Sequence, residues 1–252
     1  MRLTTFISVV ILISLFSCSK SRNDLSKQNL HGKIKSITSS NYSAIQKFGE
    51  VEKDTLDGKS VFMYNDKGYV TEGNVYNLDG SLYWKMKYKY DEMNNNNIEQ
   101  DLYATNGSLL RKTVFKFNDR GDMIEESNIY SDSLTEKHVC KYDDNHNMIE
   151  RRSYYKDGSL WEKAVYGYDD NNNVIQSVDS TYSSTSNSQR KYTYKYDDKD
   201  NLIEQETTED DGSSTKQVYK YPEYDKKGNW IRQITFENDK PEFITERTIE
   251  YY

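Results

Sequence analysis

The chain is short of the residues that break, staple or catalyse. Two prolines and twelve glycines in 252 residues are too few for a linker or low-complexity protein. Two cysteines, Cys18 and Cys140, cannot build the multi-bridge framework of small secreted domains. Three histidines leave little for a zinc site, and no His or Cys set has zinc-ligand spacing. Hydrophobic residues reach only 35% and the mean hydropathy is −0.99, which taken alone leans toward disorder. Positive charge is plentiful but never concentrated: Lys and Arg alternate with a larger number of acids, for a formal charge of −7. Without a basic face or stripe, nucleic acid is excluded as a partner.

Aromatic residues are what the chain has in quantity: 23 Tyr, 8 Phe and 3 Trp. Each can bury roughly 150–250 Å², so a core is within reach without many Leu or Ile. They recur in register. Anchor aromatics stand at Tyr64, Tyr90, Phe117, Tyr142, Tyr168, Tyr196 and Tyr224, at intervals of 26, 27, 25, 26, 28 and 28 residues. A period of this size marks a repeat architecture.

The N-terminus stands apart from the repeats. Arg2 precedes an apolar run from Leu3 to Phe16, shorter than the roughly 20 residues a bilayer span needs, so residues 1–17 read as a signal peptide. Leu15-Phe16-Ser17-Cys18 resembles a bacterial lipobox, which implies lipidation of Cys18, a membrane anchor and a mature chain beginning there. Ser19, rather than Asp, follows the Cys; by resemblance to bacterial sorting rules this implies the outer membrane. Residues 18–29 are polar and patternless, the expected flexible tether, and residues 30–252 form a single repeat domain. With Cys18 acylated, Cys140 has no disulfide partner.

Within each unit, Trp84-Lys-Met-Lys-Tyr-Lys-Tyr90 shows the rule: apolar and cationic residues alternate with period two. Such alternation describes a half-buried β-strand with one aromatic and one wet face. Four residues after each anchor stand Gly68, Asn94, Gly121, His146, Asn172, Asp200 and Gly228, types that tolerate positive φ, so a tight turn is expected there. The return strand opens on an apolar residue such as Met148-Ile149 or Leu202-Ile203. A second turn, as in Asp79-Gly80, Asn106-Gly107 and Asp157-Gly158, closes the unit as a hairpin. Short connections force antiparallel neighbours. The fold class is therefore all-β: a meander of about 15–16 strands, too many for a flat open sheet, rolled into an open spiral or a barrel-like sheet. A membrane barrel is not expected, because the non-aromatic face carries Lys and Glu where lipid demands apolar residues.

The recurring Lys-x-x-Tyr-x-Tyr-Asp-x-x-(Gly/Asn)-Asn-x-Ile-Glu, clearest over Tyr194 to Glu204 and from Tyr224 to Ile231, resembles the YD repeat of the RHS family and of small repeat lipoproteins of Bacteroides-type bacteria. The resemblance covers residues 60–252. It implies the β-sheet architecture; nothing in the chain matches the toxin or self-cleaving segments of large RHS proteins, so their shell activity is not implied.

Chemistry-bearing patterns are few. His138 and Cys140 share a strand face, yet both occupy columns held elsewhere by core residues, so no metal is expected. The Asp-rich segments from Asp143, Asp169 and Asp197 lack the twelfth-position Glu of a calcium loop and read as Asx turns. Glu99, Glu125, Glu150 and Glu204 follow the repeat and read as a ladder opposite the lysines, not as a catalytic pair. No nucleophile elbow or phosphate loop is present, so neither an enzyme nor a cofactor is expected. Tyr83, Trp161, Tyr103, Tyr154 and Tyr155 lie near hairpin ends, where exposed rings stack on sugars or anchor a protein. The expectation is a lipid-anchored binding or scaffold module of the cell envelope with a protein or glycan partner; the alternatives are a glycan-capture protein and an enzyme with an unrecognised site.

Overall fold

A computed structural model describes residues 23–252 apart from 94 and 132. The signal segment and Cys18 lie outside the described residues. The described residues open with a helical turn, α1 (Asp24–Lys27), followed by sixteen strands. The first four are β1 (Ile34–Lys47), β2 (Glu50–Tyr64), β3 (Val70–Tyr76) and β4 (Leu82–Tyr90). Next come β5 (Asn97–Ala104), β6 (Leu109–Phe117), β7 (Met123–Tyr130) and β8 (Ser133–Tyr142). β9 (Met148–Tyr155), β10 (Leu160–Tyr168), β11 (Val174–Tyr182) and β12 (Asn187–Tyr196) follow. The last are β13 (Leu202–Thr208), β14 (Ser214–Tyr224), β15 (Trp230–Glu237) and β16 (Lys240–Tyr251).

Each strand pairs antiparallel with its sequence neighbours, and β1 pairs with β16, with Thr38 opposite Thr248, to close the barrel. Of the two expected shapes, the closed one is found. Closure removes every free edge, the aggregation liability of a long meander. The anchor strands end at one rim, here the aromatic rim; the hairpins containing Gly80, Gly107, Gly158 and Gly212, all with positive φ, form the opposite, glycine rim.

Alternation sorts the side chains as the period-two pattern requires. Outside, lysines and glutamates pair across strands: Lys116–Glu125 at 2.7 Å, Lys141–Glu150 at 2.9 Å, Lys195–Glu204 at 2.7 Å and Lys216–Glu204 at 2.8 Å. Exposed pairs of this kind contribute a few tenths of a kcal/mol each, about 0.2–1. Inside, Met123, Cys140 and Met148 pack with Phe115, Phe117, Tyr142 and Tyr166.

The anchors carry a second task. A bulge interrupts the ladder where an anchor meets its return strand, as between Lys141 and Tyr142 and between Gly167 and Tyr168. A bulge leaves backbone groups outside the ladder, and the next unit's phenol supplies one of them. Tyr90 reaches the carbonyl of Val70 at 2.8 Å, Tyr168 that of Met148 at 2.7 Å and Tyr196 that of Val174 at 2.9 Å. In the seventh unit Tyr221, not the expected Tyr224, makes this bond, to Leu202 at 2.7 Å. The extra Pro222-Glu223 shifts the register between Lys220 and Tyr224, and Tyr224 instead accepts from Asn201 at 3.3 Å.

The left-handed column holds at Gly68, Gly121, His146, Asn172, Asp200 and Gly228. In the second turn Asn94 lies outside the described residues; Asn95 has a positive φ, and the turn from Asp91 to Asn96 is one residue longer than the others. Side chains of this column tie successive turns together: Asn147 donates to Asn172 at 2.9 Å and Asn173 to Asp200 at 3.0 Å.

One expectation is corrected. Of the expected tether over residues 18–29, residues 18–22 lie outside the described residues, and residues 23–29 are docked on the barrel. Asn23 caps α1 by accepting from the Ser26 amide at 2.9 Å, and Leu25, 4% exposed, enters a cluster with Leu30, Ile34, Ile37, Tyr64 and Val70. Asp24 accepts from the Val70 amide at 3.0 Å and from the Tyr90 hydroxyl at 2.7 Å. Farther along, the Asn29 amide donates to the Lys199 carbonyl and the His31 amide to Asn229 at 2.7 Å. The segment is thus a strap laid across the aromatic rim, from the β2–β3 turn to the β12–β13 and β14–β15 turns. A single leucine amid polar residues carries no helical period, which is why the pattern hid it.

Candidate functional site

Toward the glycine rim the interior turns polar, with charged side chains on β6–β12 among those that face in. A chain of hydrogen bonds crosses five of these strands. Thr113 donates to Asn128 at 2.7 Å, the Asn128 amide meets His138 Nε2 at 3.3 Å, His138 Nδ1 meets Ser153 Oγ at 2.8 Å, and Ser153 donates to Glu162 at 3.0 Å. An amide nitrogen only donates, so Nε2 accepts and the ring proton sits on Nδ1. Burial foremost, then the charges of Arg151 and Arg111, push the His138 pKa down to about 3. Ser153 beside a histidine suggests a nucleophile and its base, but this ring stays neutral at physiological pH and Ser153 is 0% exposed. The pair orders the wall; it lacks the access and proton affinity that acyl transfer requires.

Cys140 lies in the core below His138, and burial pushes its thiol up to about 12, so no thiolate is available as ligand or nucleophile. Among the described residues no group of three or more His, Cys, Asp or Glu is placed to hold a metal ion. The Asp-rich turns use their carboxylates internally: Asp143 Oδ1 accepts from the amides of Asn145 at 2.9 Å and Asn147 at 2.8 Å. The glutamate column faces outward against lysine, as in Glu150 between Lys141 and Lys163.

The five candidate aromatics divide. Tyr83, Tyr103 and Tyr154 follow the outward phase; Tyr83 is 55% exposed, and Tyr103 bonds Asp101 at 3.2 Å with Lys87 over its ring. Tyr155 and Trp161 point into the barrel mouth, ring centroids 5.9 Å apart, with Trp161 edge-on to His138 at 6.4 Å. Trp161 is inward because a bulge separates Leu160 from Glu162 in the β9–β10 ladder, placing two consecutive residues on one face. Tyr155 remains 50% exposed.

Beside that pair, on β10–β12, Glu162, Asp179, Thr181, Ser188, Arg190 and Tyr192 line a cavity of about 190 Å³. Burial foremost, and then the Glu162 charge, raise the Asp179 pKa to about 6. Arg151 lies 3.9 Å from Glu162 and 3.7 Å from Glu126. Sequence reasoning missed these charged residues, although a signal existed. Asp179 holds the inward position filled by Val75, Leu102, Asn128, Ser153, Thr207 and Thr235 on other return strands. None of those six is charged, so Asp179 breaks the inward column.

Barrels of sixteen strands enclose more space than side chains fill. No helix among the described residues is long and apolar enough to cross a membrane.

No family model matches the chain, and no curated protein matches it. Among solved structures, a porin-like protein from Bacteroides uniformis superposes with a TM-score of 0.56 at 11% identity, covering 86% of this chain and 96% of that one. A porin-like protein from Bacteroides vulgatus gives 0.51 at 11% identity, covering 88% and 99%. A chain of the Photorhabdus luminescens Tc holotoxin pore gives 0.33 at 13% identity, covering 78% of this chain and 12% of that one, a score too low to argue from. The two Bacteroides structures share the barrel fold with this chain; at such identity the likeness extends to the fold alone.

Proposed function

We propose that the protein is a non-enzymatic, lipid-anchored binding module of the bacterial cell envelope, built from YD-type repeats, with the barrel interior as its binding surface. One observation carries the reading. The outer wall is laced with lysine–glutamate pairs, whereas a lipid-facing wall must be apolar, so the barrel is built to stand in water and needs a separate attachment. The lipobox-like segment ending at Cys18 supplies one.

The strap gives the attachment a direction. Asn23 lies five residues beyond Cys18, a reach of at most about 18 Å when extended, and it is docked on the aromatic rim. A lipid on Cys18 therefore holds the aromatic rim toward the membrane and turns the polar mouth away from it, open to ligands. The neutral His138 and the enclosed Ser153 support the non-enzymatic part of the reading.

Metabolic labelling with radioactive palmitate tests it. The wild-type chain is expected to incorporate label and partition with membranes, and Cys18→Ala to do neither while remaining folded and soluble without detergent. A Cys18→Ala chain that still requires detergent would refute the water-facing wall.

A further inference from the structure

We infer that the inner wall of β10–β12 near the glycine rim binds a neutral saccharide ring, with Glu162 and Asp179 accepting from its hydroxyls, Arg190 donating to its oxygens, and Tyr192 with the Trp161–Tyr155 pair offering apolar faces. The inference rests on the reading of the barrel interior as a binding surface.

Three observations carry it. The cavity is small, about 190 Å³, below the range of drug-sized sites, so it takes one compact ring or the end of a chain. Its lining mixes both signs of charge with hydroxyls: Asp179 stands directly across the ladder from Arg190, which also bonds Glu209 at 2.8 Å, and Glu162, Thr181 and Ser188 form the next row. A ligand of either net charge meets a like charge there, whereas a polyol presents donors and acceptors together and satisfies both. Finally, one polar atom of this lining, Asp179 Oδ1, is buried without a hydrogen-bond partner. Native proteins rarely leave such groups unmatched, and each one calls for an explanation.

The aromatic arrangement agrees. Tyr192 lies nearly parallel to Tyr194, 10° between planes at 6.4 Å. Trp161 and Tyr155 sit at 32° to one another and continue the surface toward the mouth. Flat rings beside planar carboxylate and guanidinium groups match the alternating C–H faces and O–H edges of a pyranose.

The test titrates the full-length protein with glucose, galactose, mannose, N-acetylglucosamine and their β-linked disaccharides, with alanine and sulfate as zwitterionic and anionic controls. Calorimetry reads binding and tryptophan fluorescence locates it. At least one neutral sugar is expected to bind saturably, with affinity reduced tenfold or more by Asp179→Asn and the fluorescence response lost in Trp161→Phe. The outward Tyr83→Phe serves as the unaffected control. Failure of every sugar in the panel, binding of alanine or sulfate instead, or sugar binding indifferent to both inner substitutions overturns the inference. Palmitate labelling of the same preparation separates the outcomes: retained labelling with no sugar bound leaves the anchored module standing and removes only its saccharide.

Discussion

The hydroxyl of Tyr168 donates to the carbonyl of Met148, 2.7 Å away and twenty residues earlier. One side chain thereby buries its ring and satisfies a backbone group freed by the bulge of the preceding unit. Tyr168→Phe keeps the ring and orphans the carbonyl, so a loss of about 1–2 kcal/mol is expected. Urea denaturation measures it. Tyr83→Phe, on the outer wall, is expected to change stability by less than about 0.5 kcal/mol.

The strap on the aromatic rim is held by one apolar plug and one carboxylate. The Leu25 side chain is enclosed by Leu30, Ile34, Ile37, Tyr64 and Val70, so Leu25→Ala is expected to cost about 2–3 kcal/mol. Asp24→Ala removes the acceptor for the Val70 amide and the Tyr90 hydroxyl. Hydrogen exchange is expected to rise at Gly68–Val70 in both variants and to stay unchanged at the glycine rim.

His138 titrates far below its ordinary value of 6.5, at about 3. Between those values the unfolded chain takes up a proton that the folded barrel refuses, so stability rises with pH through this window and is lost on acidification. Nitrogen-edited NMR is expected to show the neutral Nδ1–H tautomer down to about pH 4. His138→Gln flattens the acid limb of the stability curve.

Asp179 works in the opposite sense. Its pKa is raised from 3.8 to about 6 by burial and by Glu162 on β10, with Arg151 on β9 and Arg190 on β12 opposing. In that interval the folded chain holds a proton the unfolded chain has released, so this group's contribution falls as pH rises from about 4 to 6 and stays low above it. Asp179→Asn is expected to stabilise the protein at about pH 7 by about 1 kcal/mol, discounted for partial solvent screening, and to leave stability at about pH 4 unchanged. Thermal melts at the two pH values check the difference.

The sequence made strands and turns readable wherever a local rule governed them. Alternation over Trp84–Tyr90 determines which residues face in, and the need for positive φ restricts the turn column to Gly, Asn, Asp and His. Features set by distant or irregular contacts were not readable. Closure depends on β1 meeting β16, with Thr38 opposite Thr248, a pairing no local pattern announces. The side on which Trp161 lies depends on a one-residue bulge, which reverses the phase that alternation would give. The seventh anchor moved to Tyr221 because Pro222-Glu223 shifted the register, and Leu25 gave no periodic signal at all. The candidate site was half visible: its aromatics were singled out, whereas Asp179, Glu162 and Arg190 passed as further surface charge.

Hydroxyl-radical footprinting of the intact protein in water, read by mass spectrometry at each tyrosine, tests most directly whether the rings line the inside of a closed, water-standing barrel. Rapid oxidation of Tyr83 and strong protection of Tyr64, Tyr88 and Tyr168 are predicted. Equal oxidation at all four, or protection of Tyr83 with the others exposed, would contradict the account.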